Sequence, residues 1–418
     1  MQVRIGPTAP EGEVFAVASK SDAHRAIICS ALADDKTTVH ISHISKDIEA
    51  TLNCIKEMGA GVIKKDKAYE ISPITKIAEN PVLDCGESGS TLRFLLPVLS
   101  ALGRGATFAG HGRLPERPMG LIVDLLKKHG NEFSSDKLPI TVSGKTEAGD
   151  FPIAGDVSSQ FISGLLFALP LLLDKSKIKL TSGLQSSAYV DMTLNVLKRF
   201  GADIERSGEE FLINPIGAYK SPGDYIVEGD WSNAAFFMVM GALGGEITLK
   251  NLSLNSSQSD KRTLEILKLS GAEFETFADG IRVYKSQIKP FDYDVSQCPD
   301  LFPIMSILAC GAEGKSTLYN AKRLRIKESD RITTTKELIL NLGGRAEETE
   351  ETLIIYGSGR LKGGRVSSAN DHRIAMSAFA ASTISDGCVV LENAEAMDKS
   401  YPSFIDDFRS LGGMASVI

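Results

Sequence analysis

The sequence predicts an α/β protein with two similar domains, each made of repeats whose buried helices lie inside a shell of strands. Two observations lead to this prediction. At 418 residues the chain is too long for one ordinary hydrophobic core. An amphipathic helix that ends in a glycine also recurs six times, with successive glycines 69 to 72 residues apart. The six are Gly59, Gly130, Gly201, Gly271, Gly343 and Gly412.

Each repeat unit combines the same elements in the same order. After the glycine, alternating segments around a polar turn predict a hairpin, as at 61–71 and 272–284. A second helix is apolar on nearly every face, which predicts that it is buried, and a strand follows it. These apolar helices are expected at 20–33, 88–102, 159–173, 231–243, 299–310 and 371–384. A unit therefore reads apolar helix, strand, loop, amphipathic helix, hairpin.

Six units of about 70 residues exceed one core and divide naturally into three plus three. The boundary is expected between the third hairpin and the fourth apolar helix, near 226–229. This division predicts two domains with a cleft between them.

The composition is that of an ordinary globular protein, with 43% apolar and 24% charged residues. The net charge of −7 argues against nucleic acid as the main partner but permits a small anionic ligand. Six cysteines without a CxxC pair indicate a reducing compartment, and no His and Cys spacing indicates a metal. The amino terminus lacks a signal-peptide pattern, and no apolar stretch is long enough to span a bilayer. We therefore expect a cytoplasmic protein that does not enter the membrane.

The buried helices begin with polar and charged groups that packing alone does not require. Ser, Asp and Asn at these starts are good N-caps, and that interpretation stays open for each of them. Capping does not explain the cations, because a cation near a helix N-terminus opposes the macrodipole. A bound anion resolves the conflict, since it accepts from the free N–H groups and pairs with the cation. The repeat gives these cations equivalent positions, where they are expected to face the cleft: Lys20, Arg25, Arg93 and Arg373.

The loops that precede the amphipathic helices carry further cations. They include Arg113 and Arg117 at 112–120, Lys399 at 398–402 and the charged stretch at 321–331. Within that stretch Lys327, Glu328 and Arg331 stand at the beginning of a predicted helix, where the same anion argument applies. The other basic residues of the stretch fit a solvated surface equally well. His24, beside Arg25, is interpreted as a structural hydrogen bonder.

Eight motifs then follow one another in the order and spacing of a known family. They read SKSDAHR, ESGSTLR, LPERPMG, GDVSSQFISGLL, YVDMTLNVL, IKESDR, NDHRIAM and DKSYPSF. Over essentially its whole length the chain resembles the 5-enolpyruvylshikimate-3-phosphate synthase family. The resemblance implies two domains of three βαβαββ units each, an inside-out α/β barrel, with the active site in the interdomain cleft. It also implies that the amino-terminal strand belongs to the second domain, so that the domains span 18–228 and 1–17 plus 229–418.

By the same resemblance, the reaction transfers the enolpyruvyl group of phosphoenolpyruvate to the 5-hydroxyl of shikimate-3-phosphate and releases phosphate. Residues implied to bind shikimate-3-phosphate are Lys20, Ser21, Arg25, Ser158, Ser159, Gln160, Ser186, Tyr189, Asp300 and Lys327. Those implied to bind phosphoenolpyruvate are Lys20, Gly89, Arg117, Gln160, Arg331, Arg373 and Lys399. Both substrates are small and multiply anionic, which is what the cationic helix starts require.

Three residues are implied to carry out the chemistry. Addition across the enol double bond needs a proton at the methylene carbon while the hydroxyl loses one. Asp300 is the expected base for the hydroxyl and Glu328 the expected acid for the carbon, while Lys327 stabilises the anionic intermediate. Because no redox or acyl-transfer step occurs, neither a cofactor nor a metal is expected. We also expect a monomer.

The sequence departs from well-known bacterial members of the family at a few positions. Glu87 and Ser90 replace Asn and Thr, Arg323 replaces an Asn that helps to bind substrate, and Ala188 stands where proline is common. These changes affect fine substrate contacts rather than the reaction. Gly89 is the small residue associated with sensitivity to glyphosate, so we expect the enzyme to be sensitive.

Two other functions remain as alternatives. The sister enzyme that transfers enolpyruvyl to UDP-N-acetylglucosamine typically carries a cysteine before the arginine-proline pair, whereas 110–118 contains none. A non-catalytic sensor of phosphorylated metabolites needs the cations but has no use for both Asp300 and Glu328. The sequence therefore favours the shikimate-phosphate reaction.

Overall fold

The computed structural model describes every residue from Met1 to Ile418 and shows a mixed α/β protein. Its helices are α1 Lys20–Ala31, α2 Lys46–Glu57, α3 Gly89–Leu102, α4 Gly120–Lys127, α5 Ser159–Ala168, α6 Ser187–Arg199, α7 Trp231–Gly244, α8 Thr263–Leu269, α9 Phe302–Cys310, α10 Arg331–Asn341, α11 His372–Ala381 and α12 Phe404–Ser410. Its strands are β1 Gln2–Ile5, β2 Glu11–Phe15, β3 Thr37–His40, β4 Gly61–Lys64, β5 Ala68–Ser72, β6 Val82–Asp84, β7 Ala106–Ala109, β8 Asn131–Phe133, β9 Ile140–Gly144, β10 Asp150–Ile153, β11 Ser176–Leu180, β12 Ile204–Ser207, β13 Glu210–Ile213, β14 Asp224–Ile226, β15 Glu246–Lys250, β16 Glu273–Phe277, β17 Gly280–Tyr284, β18 Asp292–Asp294, β19 Glu313–Tyr319, β20 Arg345–Glu348, β21 Leu353–Ser358, β22 Gly364–Ser367, β23 Val389–Glu392 and β24 Ala415–Val417.

The chain forms two compact units. The N-terminal unit is Lys20–Val227, and the C-terminal unit combines Met1–Ser19 with Glu228–Ile418. Each unit contains three sheets of four strands, and all six sheets share one plan. Two neighbouring strands run parallel, and an antiparallel hairpin then extends the sheet on one side.

The N-terminal unit shows how the repeat builds this plan. Its sheets have the strand orders β14-β3-β5-β4, β6-β7-β9-β8 and β10-β11-β13-β12. In two of these sheets the parallel pair brackets a buried helix, so that α3 connects β6 to β7 and α5 connects β10 to β11. In the first sheet β14 comes from the end of the unit and pairs with β3, which follows the buried helix α1. Helices α1, α3 and α5 bury nearly every residue, and α3 contacts both of the others inside the unit. The predicted fold class is thereby confirmed for this half of the chain.

The C-terminal unit completes two of its sheets with strands from the amino terminus. Its sheets have the orders β2-β15-β17-β16, β18-β19-β21-β20 and β22-β23-β1-β24. In the last of these, β1 replaces the second hairpin strand, and Val3 pairs with Leu391 on one side and Val417 on the other. Helices α7, α9 and α11 contact one another and are buried along their whole length.

The six glycines that define the repeat all follow an amphipathic helix and all have a positive φ, between 76° and 100°. A side chain is strained in this left-handed region, whereas glycine adopts it readily, so each glycine ends its helix and redirects the chain into the strand that follows. The sequence interpretation of these positions is confirmed.

Three of the predicted buried helices differ from the observed ones at their ends. The third ends at Ala168 and continues as a 3-10 turn, because Pro170 cannot donate to the helical ladder. The fifth begins as a 3-10 turn at Pro299–Leu301 and becomes α-helical only at Phe302. The sixth likewise ends in a 3-10 turn after Ala381. No helix combines the length and the apolar character needed to cross a membrane.

Candidate active site

Arg331 is the first residue of α10, and three carboxylates surround its buried guanidinium. Nη1 donates to Asp300 Oδ1 at 2.8 Å, Nη2 to Glu328 Oε2 at 2.7 Å and Nε to Asp371 Oδ2 at 2.8 Å. Burial alone lowers the pKa of Arg331, but the three carboxylates outweigh burial and hold it well above its ordinary value. The side chain is only 1% exposed, so Arg331 is a fixed positive charge at the centre of this cluster.

Asp300 lies in the 3-10 turn before α9 and receives hydrogen bonds on both carboxylate oxygens. Besides Arg331 on Oδ1, it accepts from Arg373 Nη2 on Oδ2 at 2.9 Å, and Lys327 Nζ lies 3.8 Å from Oδ1. Burial raises the pKa of Asp300, but Arg373, Lys327 and Arg331 together hold it well below its ordinary value. Asp300 is therefore ionised throughout the physiological range of pH.

Lys327 and Glu328 lie in the short bend between the 3-10 turn Lys322–Ile326 and α10, next to Asp300 and Arg331. Burial is the main reason that the pKa of Lys327 falls to about 8, and the charge on Arg331 adds to it, while Asp300 opposes the shift. Lys327 can therefore exchange its proton near neutral pH, which few lysines do. Two carboxylates and an adaptable ammonium thus stand within a few ångströms of one guanidinium.

Arg373 and Lys399 are the remaining cations of this cluster, and both lie at the start of α11. Asp371 caps the helix by accepting from Arg373 N at 2.9 Å, and the same carboxylate receives Arg331. Lys399 Nζ donates to Asn370 O at 2.7 Å, which brings the lysine to this helix start. The structure therefore gathers all six predicted site residues of the C-terminal unit around the starts of α9, α10 and α11: Asp300, Lys327, Glu328, Arg331, Arg373 and Lys399.

In the N-terminal unit, Lys20, Ser21 and Arg25 occupy the first two turns of α1. Lys20 Nζ pairs with Asp47 Oδ2 at 2.9 Å, near the start of α2. Arg25 is buried, and its Nη1 and Nη2 donate to the carbonyl oxygens of Ser21 and Tyr189 at 2.6 and 2.9 Å. Burial lowers the pKa of Arg25 to about 10, so it remains charged at neutral pH. These bonds link α1 to α6.

The start of α5 is held against α3 through one amide side chain. Gln160 Oε1 accepts from Arg93 Nη1 at 2.7 Å, and its Nε2 donates to Ser90 Oγ at 2.9 Å. Ser158 caps α5 by accepting from Gln160 N at 3.3 Å, and Ser159 is the first residue of the helix. Ser90, one of the departures from the family pattern, therefore positions Gln160 through its hydroxyl.

Gly89, the first residue of α3, lies directly against the guanidinium of Arg117. A Cβ added at Gly89 would be 2.5 Å from Arg117 Nη1 and 2.9 Å from its Cζ, closer than real Cβ contacts come. Arg117 is 9% exposed, so it has little room to withdraw. The absence of a side chain at Gly89 is therefore what allows Arg117 to lie at this helix start.

Ser186 and Tyr189 form the first turn of α6. Ser186 has a φ of 55°, and Tyr189 N donates to its carbonyl oxygen at 3.1 Å. Because Tyr189 O accepts from Arg25, this turn is joined to α1. The predicted site residues of the N-terminal unit thus lie at the starts of α1, α3, α5 and α6 or, for Arg117, in the loop before α4.

His24 belongs to a buried chain of hydroxyl groups beneath these helix starts. Its Nδ1 lies 2.6 Å from Thr51 Oγ1, which lies 2.7 Å from Thr91 Oγ1, and Thr91 in turn donates to Ser88 Oγ at 2.7 Å. If each hydroxyl donates once along this chain, Nδ1 of His24 carries the proton. Burial, together with Lys20, lowers the pKa of His24 well below its ordinary value, so the ring is neutral. The structural role predicted for His24 is confirmed.

Sequence reasoning missed several residues at and around the site. Asp47, Ser232 and Asp371 contact predicted site residues directly. Thr51 and Asp260 lie one step further away, bonded to His24 and Ser232. Asp47 is the second residue of α2, and Asp260 lies in the 3-10 turn Ser259–Arg262 before α8. These are the starts of the amphipathic helices of repeats one and four, and Lys327 and Glu328 occupy the corresponding position in repeat five. Comparing all six loops, rather than the three with the most cations, would have found both.

The charge departure at Arg323 also has a local effect, because its positive charge contributes to the lowered pKa of Lys327, after burial and Arg331. Nowhere in the chain do three or more His, Cys, Asp or Glu side chains come close enough together to hold a metal ion. The clusters instead combine fixed cations with ionised carboxylates, a set that can bind multiply charged anions and move protons.

Comparison with known proteins agrees with this chemistry. Residues 5–408 match the family model described as EPSP synthase (3-phosphoshikimate 1-carboxyvinyltransferase). A 3-phosphoshikimate 1-carboxyvinyltransferase from Clostridium kluyveri is 43% identical over 415 residues, which cover 98% of this chain and 97% of that protein. The structure of EPSP synthase from Acinetobacter baumannii has a TM-score of 0.84 at 27% identity and full coverage of both chains. The enolpyruvyl transferase NikO from Streptomyces tendae shares the fold, with a TM-score of 0.82 at 15% identity and coverage of 99% and 98%. The chain belongs to the EPSP synthase family.

Proposed function

We propose that this chain catalyses enolpyruvyl transfer in the shikimate pathway with the residues of the two clusters described above. The reaction joins the enolpyruvyl group of phosphoenolpyruvate to the 5-hydroxyl of 3-phosphoshikimate and releases inorganic phosphate. Family membership over almost the whole chain supports the reaction. The chemistry of the clusters supports the assignment of roles to individual residues.

Lys20, Ser21, Arg25, Ser158, Ser159, Gln160, Ser186 and Tyr189 are proposed to bind 3-phosphoshikimate. They bring two cations and several hydroxyls to the starts of helices, where free N–H groups and the macrodipole favour a phosphate. Arg25 is already fixed by three hydrogen bonds, so it presents its charge without further ordering. Lys20 pairs with Asp47, so the substrate anion competes with this carboxylate for the ammonium group.

Gly89, Arg117, Arg331, Arg373 and Lys399 are proposed to bind phosphoenolpyruvate, together with Lys20 and Gln160. Arginine suits this task because its planar fork matches carboxylate and phosphate oxygens. Carboxylates of the protein contact both Arg331 and Arg373. Phosphoenolpyruvate brings its own carboxylate and phosphate, so it competes with Asp300 for these guanidiniums.

Proton transfer is assigned to Asp300 and Glu328. In the addition step the 5-hydroxyl oxygen forms a bond to C2 of phosphoenolpyruvate, Asp300 takes the hydroxyl proton, and Glu328 delivers a proton to the methylene carbon. In the elimination step Glu328 takes a proton from the resulting methyl group, the double bond re-forms, the C2–O bond to the phosphate breaks, and Asp300 returns its proton to the leaving phosphate. Lys327 and the arginines stabilise the negative charge of the tetrahedral intermediate.

The observation that carries these assignments is the shared position of Arg331. One buried guanidinium contacts both Asp300 and Glu328 at hydrogen-bond distance, so the proposed base and acid flank the same anion-binding group. A sensor of phosphorylated metabolites gains nothing from two carboxylates beside its cations, because they repel the ligand. The proposed enzyme reaction uses both carboxylates, one as the base and one as the acid.

The test is to mix the purified protein with phosphoenolpyruvate and 3-phosphoshikimate and to follow phosphate release. UDP-N-acetylglucosamine serves as the control acceptor. Release that depends on 3-phosphoshikimate supports the proposal, and release only with the sugar nucleotide assigns the chain to the sister reaction. Absence of release with either acceptor, in protein that binds both substrates, supports the sensor.

We further propose that the protein acts as a monomer in the cytoplasm, needs no cofactor and is inhibited by glyphosate. The residues to which roles are assigned above all belong to one chain, so the proposed reaction needs no residue from a second copy. Size-exclusion chromatography with light scattering tests the monomer. Competition between glyphosate and phosphoenolpyruvate in the phosphate-release assay tests the inhibition.

A further inference from the structure

The hydroxyl of Ser232 connects the guanidinium of Arg373 to a carboxylate that the reaction scheme above does not use. Ser232 is the second residue of α7 and is 8% exposed. Its Oγ accepts from Arg373 Nη2 at 2.9 Å, and its proton goes to Asp260 Oδ2. Because arginine can only donate and a hydroxyl has a single proton, both directions are determined. Asp260 therefore turns the lone pairs of Ser232 toward Arg373.

The same nitrogen of Arg373 also holds Asp300. Nη2 donates to Asp300 Oδ2 at 2.9 Å, so its two hydrogens are divided between the Asp300 carboxylate and the Ser232 hydroxyl. Asp300 must change its partners when substrates bind, since it is the proposed base. The Ser232 hydroxyl is neutral and buried, and so it provides an anchor that persists while Asp300 reacts.

The fold holds Asp260 in a fixed position beside Ser232. It is 3% exposed, in the 3-10 turn Ser259–Arg262 that packs against α7. Helix α8 follows this turn, and its N-cap residue, Arg262, makes no side-chain cap bond. Instead Thr263 Oγ1 donates to the carbonyl oxygen of Asp260 at 2.7 Å and steadies the turn.

The charged neighbours of Asp260 come from three elements. Burial raises the pKa of Asp260 to about 6, Asp300 and Asp230 raise it as well, and Arg373 lowers it. The thiol of Cys298 is a neutral neighbour, because burial and the charge of Asp260 raise its pKa. Asp260 is therefore ionised above neutral pH and becomes protonated as the pH falls through about 6.

We propose that Asp260 is a positioning residue for enolpyruvyl transfer, which acts through the Ser232 hydroxyl to hold Arg373 where phosphoenolpyruvate binds. The inference rests on the proposed role of Arg373 in the binding of that substrate. An anchor for Arg373 affects the binding of phosphoenolpyruvate, whereas a residue that only stabilises the fold affects both substrates alike.

The test compares steady-state kinetics of Asp260→Asn, Ser232→Ala and Ser232→Thr with the unaltered enzyme. Ser232→Ala is expected to raise the KM for phosphoenolpyruvate about tenfold, the effect of one lost hydrogen bond to a charged group, and Asp260→Asn, which keeps an acceptor oxygen but removes the charge, about three- to tenfold. The KM for 3-phosphoshikimate is expected to change less than about twofold, and Ser232→Thr, which keeps the hydroxyl, to recover most of the loss. Ser306→Ala is the matched control, because it removes a buried hydroxyl that bonds only to Phe302 O within α9.

A second readout is the pH dependence of kcat/KM for phosphoenolpyruvate. In the unaltered enzyme it falls as Asp260 becomes protonated near pH 6, and in Asp260→Asn this contribution disappears. Comparison of the two profiles removes the titration of the substrate phosphates, which is common to both.

Folded Asp260→Asn protein with an unchanged KM for phosphoenolpyruvate overturns the inference. An equal rise in both KM values overturns it as well, because it indicates a general structural role. If Ser232→Ala does not fold, Asp260→Asn and Ser232→Thr still decide between these outcomes. Absence of phosphate release by the unaltered enzyme rejects the proposed function itself, and with it this inference.

Discussion

Arg331 donates through Nη1 to Asp300 at 2.8 Å, which ties the proposed base to a cation that also belongs to the proposed phosphoenolpyruvate site. Arg373, Lys327 and Arg331 together hold the pKa of Asp300 well below its ordinary value, so the carboxylate is a weak base while it keeps these partners. If phosphoenolpyruvate binds the two guanidiniums as proposed, we expect the pKa of Asp300 to rise. Asp300 is then expected to act as a base mainly when the second substrate is present.

Asp300→Asn tests this competition. The variant keeps the shape of the side chain but removes the base, so we expect kcat to fall by about 100-fold or more. Because an amide competes less well for Arg331 and Arg373, we expect the Kd for phosphoenolpyruvate to stay the same or to decrease. Rapid-quench kinetics and calorimetric titration measure the two quantities. Weaker binding of phosphoenolpyruvate together with normal turnover would show that Asp300 binds substrate rather than acting as the base.

Lys327→Arg tests the protonation state of Lys327. With a pKa of about 8, the lysine loses its positive charge as the pH rises through 8, and kcat/KM for phosphoenolpyruvate is expected to fall above that pH. Arginine stays charged, so the variant is expected to keep its remaining activity to a higher pH, although kcat decreases because the geometry changes. Lys322→Arg is the control, since Lys322 is exposed and pairs with Glu350. If kcat/KM falls at the same high pH in Lys327→Arg as in the unaltered enzyme, another group causes the fall.

The repeat predicts much of the fold because each unit can be recognised from a short stretch of sequence. A glycine that ends an amphipathic helix and a helix that is apolar all round are both recognisable within about 20 residues of sequence, and their sixfold recurrence predicts two domains with buried helices inside a shell of strands. The place of β1 is not visible in this way. Val3 pairs with Val417 near the opposite end of the chain, and its pattern of alternating residues suits any sheet edge.

The residues of the site also differ in how easily they can be recognised from the sequence. Cations such as Arg373 are conspicuous in the sequence, because they oppose the dipole of the helix that they begin. Their carboxylate partners are not conspicuous, since Asp371 has the pattern of an ordinary N-cap and Asp260 that of a charged turn. Only the three-dimensional arrangement shows that Asp371 caps α11 and receives Arg331 at the same time.

Gly89→Ala tests the contact between Gly89 and Arg117. The added methyl group would meet the guanidinium at 2.5 Å, so Arg117 has to move away from the start of α3. We expect the KM for phosphoenolpyruvate to rise about tenfold and inhibition by glyphosate to weaken, while the KM for 3-phosphoshikimate changes little. Gly120→Ala is the matched control, because its Cβ would make an ordinary contact of 3.5 Å with Asp136. Equal behaviour of the two variants would mean that Arg117 adjusts freely and does not depend on Gly89.

The hydroxyl chain beneath the N-terminal cluster gives a prediction about stability. Thr51 connects His24 to Thr91 and Ser88, and all four side chains are buried. Thr51→Val keeps the volume of the side chain but leaves His24 Nδ1 and the Thr91 hydroxyl without this partner, at a cost of about 2 kcal/mol.

For a unit of this size, that cost corresponds to a fall of about 4–8 °C in Tm, which calorimetry can measure. Because His24 is neutral, we expect the fall to be the same at pH 6 and pH 8. Thr107→Val is the control, since its hydroxyl bonds to Thr141 on an exposed sheet face and its loss should leave Tm nearly unchanged.

In the double variant Thr51→Val with Thr91→Val, the loss of stability should be smaller than the sum of the losses in the two single variants, because the second substitution removes a group that the first has already left unsatisfied. Strictly additive losses would show that the two hydroxyls stabilise the unit independently and that the chain is not a connected network.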